Sequence, residues 1–148
     1  MLFAGWQKAD DATTLAALAN PTLPLFEKAF VPADASIPDS TGTGIIGKVE
    51  VASYRSGGVT LKTTADQPAV LRACEKFMPY WTATLDGKPA PLFRCDYLFQ
   101  GIFVPAGQHE ITLTYAPKMP TFKAQIACAA LFLIALVALL IEKLRPAP

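Results

Sequence analysis

The chain has 148 residues, with 13 Lys and Arg against 12 Asp and Glu and a formal net charge of +1. That length holds one ordinary domain and a little more, which leaves no room for a second large catalytic domain. The balanced charge lacks the basic field that nucleic-acid binding needs, so no nucleic acid is expected as a partner. Hydrophobic residues make up 52%, a high share for a soluble protein, and the excess lies near the C-terminus.

In chain order, "MLFAGWQKADDATTLAALANP" shows no basic stretch followed by an apolar run of signal-peptide length. Within it, Asp10 to Ala19 predicts a short helix. Asp10 or Asp11 can cap it, Leu15, Leu18 and Ala19 give it an apolar face, and Asn20-Pro21 ends it. Pro21, Pro24, Pro32, Pro38 and "DSTGTG" follow, so residues 1–44 read as a short helix and an irregular Pro-rich lead-in, with one short strand around Phe26 to Val31.

From Ile45 the apolar period switches to two. Val49 to Tyr54 alternates, "RSGG" turns the chain, and "VTLKTT" places Val59, Leu61 and Thr63 on one face. "ADQP" turns it again, "AVLRACEKF" runs to Phe77, and Trp81, Ala83 and Leu85 share the core face of the next strand. Asp86-Gly87 fits a two-residue type I′ hairpin turn, in which both central residues need positive φ. "APLFRC", "YLFQGIFV" and "HEITLTYA" complete the set, with Ile111, Leu113 and Tyr115 inside. The expected fold is therefore mainly β, an antiparallel β-sandwich over 45–117, with no helix among these strands long enough for βαβ crossovers.

After a linker at 118–121, "FKAQIACAALFLIALVALLIEKL" carries one strongly polar residue, Gln125, between Ala124 and Ile141. Such a helix covers the ~30 Å of a bilayer's hydrocarbon core. A transmembrane helix over 122–142 and a short basic tail over 143–148 follow, with the lipid bilayer as partner. Lys118 and Lys123 on one side nearly balance Lys143 and Arg145 on the other, so charge does not fix the orientation. With Met1 as the native start, the chain reads as tail-anchored.

Candidate chemistry is sparse, and the chain alone is not expected to be an enzyme. The single histidine, His109, lies between a Gly-containing turn and a strand, where a solvated turn residue is the expectation. One histidine with scattered cysteines does not make a metal set, and no cofactor motif is present. "GTGIIG" at Gly42 to Gly47 lacks the Lys-Ser/Thr of a phosphate loop. Cys74 and Cys95 both fall on expected strands and could form a disulfide in an oxidising compartment, or stay separate buried thiols. Arg94 and Asp96, two apart on an expected strand, would share a face and pair with each other or hold a sugar hydroxyl, with Tyr97 adjacent. Tyr80, Trp81, Tyr97, Phe99 and Phe103 offer either an aromatic platform for sugar rings or core packing, and alternation assigns Trp81 to the core.

The segment "FMPYWTATLDGKPAPLFRCDYLFQGIFVPAGQHEITLTYAPK" resembles the C-terminal extracytoplasmic region of YfhO-like bacterial membrane proteins. Pro79 and Trp81 match the family's approach to its tryptophan, with Tyr80 where glycine is usual. Asp86-Gly87-Lys88 matches, Asp96-Tyr97-Leu98-Phe99 precedes Gln100 rather than arginine, and Pro105 to His109 matches closely. Upstream, "LAALANPTLPLFEKAFVP" is similar to the family's helix and connection to a strand. The resemblance implies an accessory, non-catalytic portion of a polytopic protein similar to lipid-linked-sugar glycosyltransferases, with any catalytic carboxylates in a separate membrane part. It implies an extracytoplasmic β-domain, a cytoplasmic C-terminus, a multi-span membrane partner or missing N-terminal membrane region, and a cell-envelope glycan as a contact. The alternative is an independent membrane-anchored protein-interaction module.

Overall fold

The computed structural model describes residues 1–23, 26–40, 42–117 and 120–144, with the side chains of the last segment described over 124–140. The chain forms two compact units, Met1–Ala116 and Pro117–Pro148.

The first unit is mainly β. Sheet one has the order β1 (Leu2–Phe3), β6 (Ala69–Lys76), β10 (Phe99–Val104) and β9 (Phe93–Cys95). Sheet two has the order β4 (Lys48–Arg55), β5 (Gly58–Ala65), β11 (Gly107–Tyr115), β7 (Trp81–Leu85) and β8 (Lys88–Ala90). Every pairing within these two sheets is antiparallel. A third, two-stranded sheet joins β2 (Trp6–Ala9) and β3 (Ala29–Pro32) in parallel, with the helix α1 (Asp11–Leu18) between them in sequence.

Alternation explains how these sheets share cores. In β5 and β11 apolar residues recur at every second position, and Val59, Leu61, Ala65, Ile111 and Leu113 are buried against Leu2, Ala69, Leu71, Ile102 and Val104 of sheet one. The neighbouring residues Phe3 and Val70 point the other way. They meet Trp6, Ala29, Val31 and Ile37, together with Cys95, in a second core. Sheet one is therefore covered on both faces, which is why Ala69 to Arg72 are four consecutive buried residues. The expectation of an irregular lead-in over 1–44 is corrected here: that segment adds a strand to sheet one and lays a parallel pair over its outer face.

Local signals account for the connections. Asp10 caps α1 by accepting the Thr13 N–H at 2.7 Å, an interaction worth about 1 kcal/mol. The apolar face expected for this helix differs in detail, since Thr14 is its buried residue and Leu15 is exposed. Asp86 and Gly87 have φ of 51° and 75°, the two left-handed residues of the expected hairpin turn between β7 and β8. Gly101 is required for contact: a Cβ there would stand 2.4 Å from the Phe93 ring, which lies across β10. Trp81, as expected, packs with Ala83 and Leu85 toward the core shared by the two sheets.

The second unit contains α2, a helix of 25 residues from Pro120 to Leu144 that includes the expected 122–142. Among the described residues no helix is long and apolar enough to cross a membrane. The linker residues Lys118 and Met119 and the tail residues 145–148 lie outside the described residues.

Candidate functional site

Arg94, Asp96 and Tyr97, three of the residues singled out in sequence, lie at the corner between β9 and β10. Asp96 and Tyr97 both adopt left-handed conformations, with φ of 48° and 65°, and Leu98 N–H donates to the Asp96 carbonyl at 2.7 Å. The chain thus turns at Asp96 instead of continuing as a strand, and the turn breaks the alternation that would have put Arg94 and Asp96 on one face. Asp96 points inward and is buried. Its Oδ1 accepts the Phe30 N–H at 2.7 Å, its own N–H donates to the Phe30 carbonyl at 2.9 Å, and its Oδ2 binds Arg72.

Arg72 completes the buried half of the corner. Its guanidinium lies 4.6 Å from the centre of the Phe3 ring and 5.8 Å from that of Phe99, so the charge is held by one carboxylate and two aromatic faces. Its Nε is buried without a hydrogen-bond partner in the structure. Arg94 faces outward, where it binds Asp11 at the start of α1 and lies 4.9 Å from the Tyr97 ring centre. The expected Arg94–Asp96 pair is therefore replaced by two separate pairs, Arg72–Asp96 buried and Arg94–Asp11 exposed. Beside them is a cleft of about 460 Å³ lined mainly by Leu18, Phe26, Cys74, Tyr97, Leu98 and Phe99. Phe26, Tyr97 and Leu98 are exposed at it.

The five aromatics expected as a platform are divided among three places. Tyr97 and Phe99 line this cleft. Tyr80 and Trp81 pack around Tyr115, with ring centroids 6.5 and 5.3 Å away. Phe103 meets Trp6 edge to face at 5.9 Å, beside the second core.

Of the two readings for Cys74 and Cys95, the structure has separate thiols, with Cys95 buried as expected and Cys74 exposed instead. They lie on β6 and β9, on either side of β10. Two strand spacings of about 4.8 Å separate those strands, beyond the ~7 Å that a disulfide tolerates between Cα atoms. Burial, reinforced by the neighbouring Asp96 charge, pushes the Cys95 thiol well above its ordinary range, so that sulfur is a packing atom and not a nucleophile.

His109 is not a solvated turn residue but a half-buried member of β11. Its Nδ1 is 2.7 Å from Asp86 Oδ2, and its Nε2 is 3.3 Å from the Ala106 carbonyl. With an acceptor at each ring nitrogen, only the imidazolium can donate to both. The hydrogen bond to Asp86 raises the His109 pKa, and the same bond, with one from Glu110 N–H, lowers that of Asp86. With one ring nitrogen engaged by Asp86 and the other facing the Ala106 carbonyl, His109 acts as a clamp between the hairpin and β11 and has no free nitrogen to serve as a general base. Among the described residues, no three His, Cys, Asp or Glu side chains converge as a metal site would require.

Sequence reasoning missed Arg72 and Phe26. Arg72 had a signal, a lone charge inside the apolar run "AVLRAC", since a buried charge requires a partner. Phe26 had none, as it joins the cleft through the path of the chain between α1 and β3. Comparison with protein-family models, with curated proteins and with solved structures found no match.

Proposed function

We propose that the chain is a non-catalytic, membrane-anchored β-sandwich module of the bacterial cell envelope, the accessory C-terminal portion of a glycosyltransferase-like membrane protein. The observation that carries the anchor is α2, a 25-residue helix whose side chains over 124–140 include no charge and one strongly polar group, Gln125. Ile126, Leu131, Phe132, Ile134, Leu136 and Leu139 are exposed, and at about 100° per residue they are distributed around the helix and leave no polar stripe to face water. The Arg94–Tyr97 stack beside the 460 Å³ cleft supports the contact role, because an aromatic face with an adjacent guanidinium suits a glycan ring and its hydroxyls.

Alkaline extraction of membranes from cells expressing the full chain tests the anchor. The chain should remain in the membrane pellet, and release into the supernatant would overturn the reading. Orientation is read through Cys74, a free and exposed thiol. A membrane-impermeant maleimide should label it in intact spheroplasts; labelling only in inside-out vesicles would reverse the proposed topology, with the β-unit outside and the C-terminus in the cytoplasm. The second reading, an independent protein-interaction module, is favoured by the exposed Phe26, Tyr97 and Leu98. Immobilised envelope glycans separate the two: retention of the full chain in nanodiscs, weakened by Tyr97→Ala, supports the glycan contact, whereas no retention favours the protein partner.

A further inference from the structure

A second cleft, of about 390 Å³, lies within the Met1–Ala116 unit and has no part in the corner at Asp96. It forms where the β7–β8 hairpin, β9, the end of β10 and the Ser36-Ile37 segment meet. Its walls are largely apolar, built from Ile37, Pro89, Pro91, Phe93, Phe103 and Pro105. Prolines and aromatic rings present rigid faces, so such a wall needs little ordering when a ligand binds. The size falls in the range of small-molecule sites, which combine apolar walls with a few convergent polar groups.

Those polar groups gather on one rim, at Asp86, Lys88 and His109, with Ser36 also lining the cleft. Both Asp86 oxygens are occupied, Oδ2 by His109 and Oδ1 by Glu110 N–H at 2.8 Å. Lys88 makes no salt bridge among the described residues, where the five ion pairs involve other cations. With both Asp86 oxygens engaged by His109 and Glu110, the Lys88 ammonium is the cation of the rim that no carboxylate holds among the described residues, and it stands beside an apolar wall.

From this arrangement we infer that the cleft is a binding site for a small amphipathic anion, an apolar body carrying a single carboxylate. The body lies against the proline and phenylalanine faces, and the head meets Lys88. The inference does not depend on the membrane anchor or on the glycan contact.

The test uses the full chain in nonionic micelles, with 4-phenylbutyrate as the probe and 4-phenylbutanol as its neutral counterpart. Amide NMR shifts at Lys88, Ala90, Phe93 and His109 report the cleft. The acid should shift them saturably, and the alcohol should bind about tenfold more weakly, as expected for loss of a hydrogen bond to a charged group. Lys88→Gln should weaken the acid by a similar factor and leave the alcohol unchanged. Ser36→Trp, at an exposed position, should fill the mouth and abolish both. The inference is overturned if no saturable shift is seen, if acid and alcohol bind alike, or if Ser36→Trp leaves the shifts intact. Micelle partitioning lowers the free alcohol more than the free acid but is the same for every variant, so the comparison of wild type with Lys88→Gln and Ser36→Trp isolates binding in the cleft.

Discussion

Asp86 and Asp96 are placed by the same backbone device in two very different surroundings. Each opens a left-handed turn, each donates its N–H to a carbonyl of another strand, and each carboxylate accepts the N–H of that same residue, Glu110 for one and Phe30 for the other. Each then uses its second oxygen on a cation, His109 or Arg72. The side chain of Asp86 is 49% exposed and that of Asp96 is 5% exposed. Identical geometry therefore yields an adjustable surface clasp in one place and an obligatory buried ion pair in the other. Burial, not hydrogen-bond count, decides how much each aspartate matters.

The largest expected effect comes from breaking the buried member. Asp96→Ala should cost about 3–5 kcal/mol in urea unfolding, because it leaves the Arg72 charge inside without its counterion. Replacing Arg72 and Asp96 together by apolar residues should cost less than Asp96→Ala alone, the signature of a coupled pair. A double replacement at least as costly as the sum of the singles would show that the two act independently.

Next comes the turn backbone. A Cβ at Gly87 meets nothing within 4 Å and φ there is 75°, so Gly87→Ala should cost about 1 kcal/mol through left-handed strain alone. Tyr97 already bears that strain at φ 65°. Tyr97→Gly should relieve it while losing the contact with Arg94, leaving stability within about 0.5 kcal/mol of the wild type.

The smallest effects should appear at the exposed clasp, read by pH. His109 should titrate above its ordinary range in an NMR experiment, and Asp86→Asn should return it there, because the Asp86 hydrogen bond is the main cause of the shift. The raised His109 pKa means that its contribution to stability is complete below the unfolded-state value and is lost as pH rises through the folded one. The lowered Asp86 pKa works in the opposite sense, its contribution being lost as pH falls through the folded value. The clasp should therefore be strongest in the window between them. Stability of Asp86→Asn that falls as steeply as wild type on either side would exclude this account.

The two turns also mark how far the sequence could be read. Asp86-Gly87 was legible because glycine carries positive φ without strain and Asp-Gly is a strong hairpin signal. Asp96-Tyr97 was not, because a bulky residue seldom adopts that conformation, and the strand alternation was carried straight through it. β5 and β11 were legible from their period of two, since one face is buried and the other is not. β6 hints at two covered faces in the run "AVLRAC", but what covers the second face is not legible, because that segment lies some thirty to sixty residues upstream. The partners of Arg72 and Asp96 are likewise set by contacts 24 and 66 positions apart, which no local pattern encodes. α2 was visible because an apolar run of that length needs no tertiary partner to be recognised.

The place of β1 has a consequence for the order in which the molecule can assemble. Leu2 and Phe3 pair with Leu71 and Val70, and both are completely buried. Joining them closes a loop of about seventy residues, an entropic demand that local strand pairs such as β4–β5 and β7–β8 do not face. β1 has no partner in sheet one other than β6, and the sheet is complete only with β10 and β9 in place. The hairpins of sheet two need no such closure, so the β1–β6 pairing is expected to form after them.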